Sequence, residues 1–452
     1  MKNFNVVTDP WMPVLDMNGN FNIISPIELF SSNNYESFAG SEVENYVLML
    51  FCEALVHSST NCQPKNNTEW RNLKSIIAKE TIDYMNNHID LFWMRGDKPF
   101  LQCKESEFLE TEKYKPIQLR EKYTIGNNAL INTNTITNYK DFSEIILDLL
   151  VHQVFSVTFG KAKAIPSRWL MYKKDKNGNF NFYVTGSNLI ESIWLNLAIK
   201  DGDNFNFGIP VWENGFNSDT STYLSQLIPL SVKIYISDDL TTMKYEKGLT
   251  YPEYSNTSHI FIVNNKEEIR PLSIDKDMKF WKEFNSIIKG NYIPIQLNKS
   301  RFKGIDTITI HGIGGQYKES MGIYSTIKLI SSYYQIKNPD KIYSDNFLKM
   351  YSKCIDKTNS IANNFIKAIE KSNYKSKKEK ELLKKIDISY IKELFWKHID
   401  EKSFNLFQYN DETDCEKWNK ILKNIVNDTL NDIAIKYGYL IRYKIEKIYK
   451  IE

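Results

Sequence analysis

The run His311-Gly312-Ile313-Gly314-Gly315-Gln316-Tyr317-Lys318 is where this chain comes nearest to a chemical motif. A glycine-rich turn with a lysine beyond it resembles a phosphate loop, in which backbone N–H groups and one ammonium hold the anion. Here Gln316-Tyr317-Lys318 stands where Gly-Lys-Ser/Thr would bind phosphate and magnesium. His311 adds an imidazole able to titrate near neutrality, in a segment that reads as strand-to-turn. The other histidines are His57, His88, His152, His259 and His398, and none pairs with another at a metal-binding helical spacing. No HExxH, GxSxG or Walker A pattern occurs. Glu28, Asp97 and Glu213 form no sequence-local carboxylate pair for acid–base work. Cys52, Cys62, Cys103, Cys354 and Cys415 are odd in number and scattered without a CxxC, which argues for reduced thiols and a cytoplasmic setting and against a zinc ribbon. The residues therefore point to no catalytic group, no metal and no cofactor. Two classes stay open: a binding protein, or a nucleotide-dependent or nucleic-acid-processing enzyme built on residues 312–318 and His311.

The elements around these residues follow from periodicity. Residues 5–7 read as a strand, and Met17-Asn18-Gly19-Asn20 as a hairpin turn into a strand over 21–24, since Asn-Gly suits the positive φ of tight hairpins. Ser25-Pro26-Ile27-Glu28 starts a helix, with Ser25 as N-cap and Pro26 at the first helical position. Apolar Val43, Tyr46, Val47, Met49, Leu50, Ala54 and Leu55 predict a helix over 42–56. Further helices are expected over 70–86, 142–155 and 189–197. Residues 230–236, 258–263 and 307–311 read as strands, and 208–213 as extended. Residues 126–135 form a long, polar, aperiodic loop, which suits a binding element. Phe159-Gly160-Lys161-Ala162-Lys163-Ala164 is a short basic loop of small residues. From about residue 324 the pattern turns to long helices over 348–372, 378–401 and 415–450, and a bundle of about four helices closes them.

Composition narrows the function. The 452 residues are 42% hydrophobic, 13% aromatic and 25% charged, enough for two or three domains with sizeable cores. Net charge is only +3. It is uneven: residues 320–452 hold 25 Lys/Arg against 18 Asp/Glu, a net of +7, and the remainder is at −4. A basic C-terminal third can face a polyanion or simply be a solvated helical surface. No apolar run reaches ~18 residues, so no membrane span is expected, and the N-terminus has no hydrophobic signal core.

Three further segments carry a resemblance. Asn5-Val6-Val7-Thr8-Asp9-Pro10-Trp11-Met12-Pro13-Val14 is followed, beyond the helix at 42–56, by Lys98-Pro99-Phe100-Leu101-Gln102, and later by Pro210-Val211-Trp212. In this order they resemble the large subunit of the type I-E CRISPR Cascade effector, the CasA family. The resemblance implies an α+β protein, with a mixed α/β domain over 1–323 carrying the DNA-contacting loops and a C-terminal four-helix bundle over 324–452. It implies a non-catalytic subunit that recognises the protospacer-adjacent motif (PAM) in double-stranded DNA. Such a subunit helps unwinding and R-loop formation and docks a helicase-nuclease. Its partners are the backbone, handle-binding and small subunits and the CRISPR RNA.

Residue by residue, the resemblance places the glycine loop that meets the PAM minor groove at Gly160, Lys161 and Lys163, with Lys266 as the nearest match to a groove lysine. Only one glycine survives there, and the minor groove separates A·T from G·C but little more. Gln316 and Lys318 match the family wedge, a tight turn that enters the duplex beside the PAM, while Gly315 stands in it where Asp or Asn is usual. Leu130, Ile131 and Asn132 correspond to a loop packed on the assembly near the RNA 5′ handle. A structural member of a different type I complex is a third reading.

Overall fold

The computed structural model describes residues 3–109, 114–117, 119, 139–155, 179–200, 205–251, 262–265, 268–271, 280–289, 294–320, 323–372 and 387–451. They form two compact units, Met1–Asp277 with Gly290–Tyr333, and Met278–Lys289 with Tyr334–Glu452.

The first unit is organised on the helix Glu42–Ser58. Its N-terminus has a full capping box, with the Ser41 hydroxyl accepting from the Glu44 N–H and the Glu44 carboxylate accepting from the Ser41 N–H. From Tyr46 to His57 every residue is buried, so the helix is core on all sides, as expected of a helix with no polar face. A three-stranded antiparallel sheet in the order β2-β1-β3 uses β1 (Met12–Asp16), β2 (Phe21–Ile24) and β3 (Tyr35–Phe38). The turn between β1 and β2 has Gly19 at φ 79°, and the Asp16 carboxylate accepts from the N–H groups of Asn18 and Asn20. The helix Pro26–Phe30 opens as its sequence implies, with the Ser25 hydroxyl accepting from the Glu28 N–H. The expected strand at 5–7 is instead a turn: Asp9 accepts from the Asn5 N–H at 2.8 Å, and Asn5 makes a single bridge to Trp93.

A second sheet has the order β10-β9-β4, from β4 (Asn181–Thr185), β9 (Thr307–Ser320) and β10 (Ile323–Lys337). The side chain of Asn196, at the end of the helix Leu189–Asn196, accepts from the Val184 N–H and donates to the Val184 carbonyl, closing the free edge of β4 like a partner strand. Two hairpins complete the described sheets: β5 (Val232–Ile236) with β6 (Met243–Lys247), and β7 (Ile262–Asn265) with β8 (Glu268–Pro271). The predicted helix at 70–86 is two helices, Asn67–Leu73 and Ile77–Asn87, and the extended reading of 208–213 gives way to the short helix Val211–Asn214.

The second unit is helical. Asp345–Ser372, Ile388–Ser403, Asp414–Tyr437 and Tyr439–Ile451 pack on one another. Phe280–Lys289, from earlier in the chain, joins them because its face of Phe280, Trp281 and Phe284 finds Tyr334, Tyr351 and Phe407. The Tyr351 hydroxyl donates to the Trp281 carbonyl at 2.6 Å, and the Trp281 indole donates to Asp400 at 2.9 Å. The helical pattern expected from residue 324 begins only beyond strand β10, which is rich in β-branched and aromatic side chains, with the short 3-10 helix Pro339–Tyr343 and then the helix from Asp345. The chain is thus α+β with a helical C-terminal region. Among the described residues no helix is long and apolar enough to cross a membrane.

Candidate nucleic-acid interface

Tyr46, on the buried helix, is the point from which the candidate segments can be located. Its ring lies 5.6 Å from that of Phe155, the last residue of the helix Phe142–Phe155. It lies 6.2 Å from the ring of Tyr183 on β4, and its hydroxyl donates to the Asn181 side-chain oxygen at 3.4 Å. The chain therefore leaves for residues 156–178 and returns from them at one buried aromatic cluster. Gly160, Lys161 and Lys163 belong to that stretch and lie outside the described residues, as do Lys266 and the loop residues Leu130, Ile131 and Asn132. The last loop returns at Tyr139, whose hydroxyl donates to Asp148 at 2.6 Å on the same helix Phe142–Phe155. β7 and β8 bracket Lys266, with Asn265 opposite Glu268.

The glycine segment meets the same cluster. β4 pairs antiparallel with β9, with Phe182 opposite Gly312 and Tyr183 opposite His311. A Cβ on Gly312 would lie 2.1 Å from the Phe180 ring, so this glycine admits an aromatic ring at close range. Its φ is not positive. The tight turn expected over 312–318 is therefore absent: Gly315, Gln316 and Lys318 have strand conformation, and β9 continues to Ser320. The reason is steric, since glycine here serves close approach rather than a left-handed backbone. A phosphate loop is also lost, because it needs a helix after the turn, whereas β10 follows β9.

His311 is held as a structural residue. Its ring stacks on Tyr183 at 4.6 Å and 8°, its Nε2 lies 3.0 Å from the Thr185 hydroxyl, and its Nδ1 lies 3.8 Å from Glu42 at the start of the central helix. Burial pushes the Tyr183 phenol well above its ordinary range, so its hydroxyl stays protonated. Among the described residues no group of three or more His, Cys, Asp or Glu side chains could hold a metal ion.

The segments behind the resemblance are core pieces. The Trp11 indole donates to the Val6 carbonyl at 2.7 Å, and its ring meets Phe51 at 5.8 Å. Phe51 also meets Phe100 and Trp212, at 6.1 and 6.0 Å. Gln102 accepts from the Ile236 N–H and donates to the Met94 carbonyl. Three motifs far apart in sequence thus converge on one aromatic core, which explains their joint presence. Sequence reasoning missed Tyr46, Phe180, Asn181 and Asn196, the residues that fix the loop ends. The aromatic and β-branched run Phe182-Tyr183-Val184-Thr185 was the available sign of β4.

Residues 5–429 match the family described as CRISPR-associated protein Cse1. No curated protein sequence matches. Among solved structures the chain is similar to CasA of Thermus thermophilus, with a TM-score of 0.76, 16% identity, and coverage of 100% of this chain and 99% of that one. It is similar to Thermobifida fusca Cse1, with a TM-score of 0.76, 13% identity, and coverage of 99% and 95%. A chain of a CRISPR RNA-guided surveillance complex also matches, with a TM-score of 0.69, 12% identity, and coverage of 100% and 99%.

Proposed function

The chain belongs to the Cse1 family of CRISPR-associated proteins, and from that premise we propose that it is the non-catalytic large subunit of a type I-E RNA-guided surveillance complex. In this reading it recognises the PAM in double-stranded DNA, helps to open the first base steps and docks the helicase-nuclease. Its binding partners are the backbone, handle-binding and small subunits, the CRISPR RNA and target DNA, in the cytoplasm. One observation carries the reading. Phe155 and Tyr183, on either side of the stretch holding Gly160, Lys161 and Lys163, both meet Tyr46, and Tyr183 pairs with His311 at the base of the Gly312–Gln316 segment. A basic loop and a strand arm from one rigid base suit a duplex, because phosphate contacts fix position while a second element acts on the base pairs.

Sequence specificity in such a complex comes from guide pairing, and the protein's share is the PAM and the cost of opening. Lys161 and Lys163 supply charge to the backbone or to a narrow minor groove. Gln316 supplies an amide able to bond base edges as they separate. The test is reconstitution of the RNA-bound complex with and without this chain, on duplex targets with randomised flanking sequence. Flank-dependent R-loop formation that requires the chain is expected, with no nuclease or ATPase activity from the chain alone. Equal R-loop formation without it would overturn the proposal.

A further inference from the structure

Cys354 and Cys415 are far apart in sequence, yet their sulfurs lie 3.2 Å apart in the helical unit, between the helices Asp345–Ser372 and Asp414–Tyr437. The two are unlike. Cys354 is buried, 1% exposed, while Cys415 is half-buried. Both line a cavity of about 740 Å³ whose wall includes Lys353, Lys357, Ser360 and Asn419. The Cys354 thiol donates to the Cys415 sulfur, and burial pushes the Cys354 thiol well above its ordinary range. Cys415 accepts that hydrogen bond, donates to the Met350 carbonyl at 3.6 Å and lies in the first turn of its helix. Of the nearby carboxylates, Glu412 is held by Lys353 at 3.1 Å and Asp414 by Lys417 at 2.8 Å, and Asp356 and Glu416 also line the cavity.

We propose that Cys354 and Cys415 form a peroxide-sensitive thiol pair, in which Cys415 reacts with a hydroperoxide through the cavity and Cys354 resolves it to an intramolecular disulfide. The Cys415 sulfur attacks the terminal peroxide oxygen, the O–O bond breaks, and the alkoxide leaves with the Cys415 proton as an alcohol. The Cys415 sulfenic acid is then attacked by the Cys354 sulfur. The S–O bond breaks, and hydroxide takes the Cys354 proton to leave as water. Two thiols lose two electrons, and the hydroperoxide is reduced by two. A disulfide would close the gap from 3.2 Å to about 2.05 Å. The bond would tie the first long helix of the unit to the third and stiffen it through loop closure. The order of attack follows from the asymmetry, since a reactive sensor is the accessible sulfur and a resolving partner sits beside it.

The test uses the full reduced chain, folded, treated with hydrogen peroxide and then alkylated. The expected result is an intact mass lower by about 2 Da before alkylation, the loss of two hydrogens, and linked Cys354 and Cys415 peptides after alkylation under denaturing conditions. Cys52, Cys62 and Cys103, all buried, should remain as alkylated thiols. Dithiothreitol should reverse the change, and the oxidised chain should melt at a higher temperature. In Cys354→Ala, Cys415 should be captured as a sulfenic acid by dimedone; in Cys415→Ala, Cys354 should stay a thiol. A linkage through any other cysteine would overturn the pair, as would two unlinked thiols after surface methionines have oxidised. Equal reactivity of the two single variants would overturn the assigned order. Peptide mapping of the unsubstituted chain decides the pair even if a variant fails to fold.

Discussion

At the residue scale, two side chains bear more than their sequence context suggests. Gly312→Ala places a methyl carbon at the Phe180 ring, which is itself buried. Overpacking of this kind costs about 1–3 kcal/mol, so the denaturation midpoint should fall. Phe180→Leu added to Gly312→Ala should restore part of it; no recovery would mean that backbone strain sets the cost. His57 is fully buried, with Nδ1 2.7 Å from the Cys62 carbonyl and Nε2 accepting from the Ala198 N–H at 2.9 Å. Burial drops its pKa from 6.5 to about 4, against the opposing pull of Glu53 at 3.8 Å and with a smaller push from Arg301. Between those values the unfolded chain binds the proton and the folded chain does not. The stability is therefore complete above about pH 6.5 and is lost as pH falls toward 4, by up to about 3 kcal/mol. Denaturant melts across that window should show the loss, and His57→Gln should flatten it. An unchanged slope in His57→Gln would assign the loss to other groups.

At the scale of elements, local chemistry in the sequence was readable wherever one signal decided the structure. Ser25-Pro26 and the apolar spacing of the helix Phe142–Phe155 needed no tertiary information. Gly438 was a different case. The apolar repeat runs through it, so residues 415–450 read as one helix, yet the structure has Asp414–Tyr437 and Tyr439–Ile451 separated at Gly438, with φ 93° and ψ 155°. That backbone region is open essentially to glycine alone and costs other residues about 1–3 kcal/mol. Gly438→Ala should therefore destabilise the helical unit by that order, read as a lower midpoint in helical circular dichroism. A neutral Gly438→Ala would mean that the two helices can fuse. The glycines near residue 312 misled for the complementary reason. Glycine serves both left-handed turns and close approach, and only the partner, Phe180, reveals which.

At the scale of the whole molecule, the family was legible because its signature residues are packing residues. Trp11, Phe100 and Trp212 meet around Phe51, so each is a large aromatic that stands out in the sequence. Phe155 and Tyr183, on either side of residues 156–178, meet at Tyr46, an ordinary aromatic whose importance is purely spatial. Lys161 and Lys163 should neutralise phosphates: replacing both with Ala should weaken duplex binding by the assembled complex and reduce the log–log salt slope by about 0.9 for each phosphate left without its lysine. An unchanged slope would make them surface charges only. Gln316 should act later. An amide adds little to phosphate affinity, so Gln316→Ala should leave equilibrium binding to PAM-bearing duplex nearly intact. Its hydrogen bonds matter when the first pair opens, at about 1 kcal/mol each, a drop of about fivefold in R-loop initiation. β9 carries Gln316 in an extended strand rather than at a tight turn. A target already mismatched beside the PAM removes the opening step and should rescue Gln316→Ala. R-loop formation by wild type and variant on matched and pre-opened targets measures this directly, and an equal defect on both would reduce Gln316 to a structural strand residue.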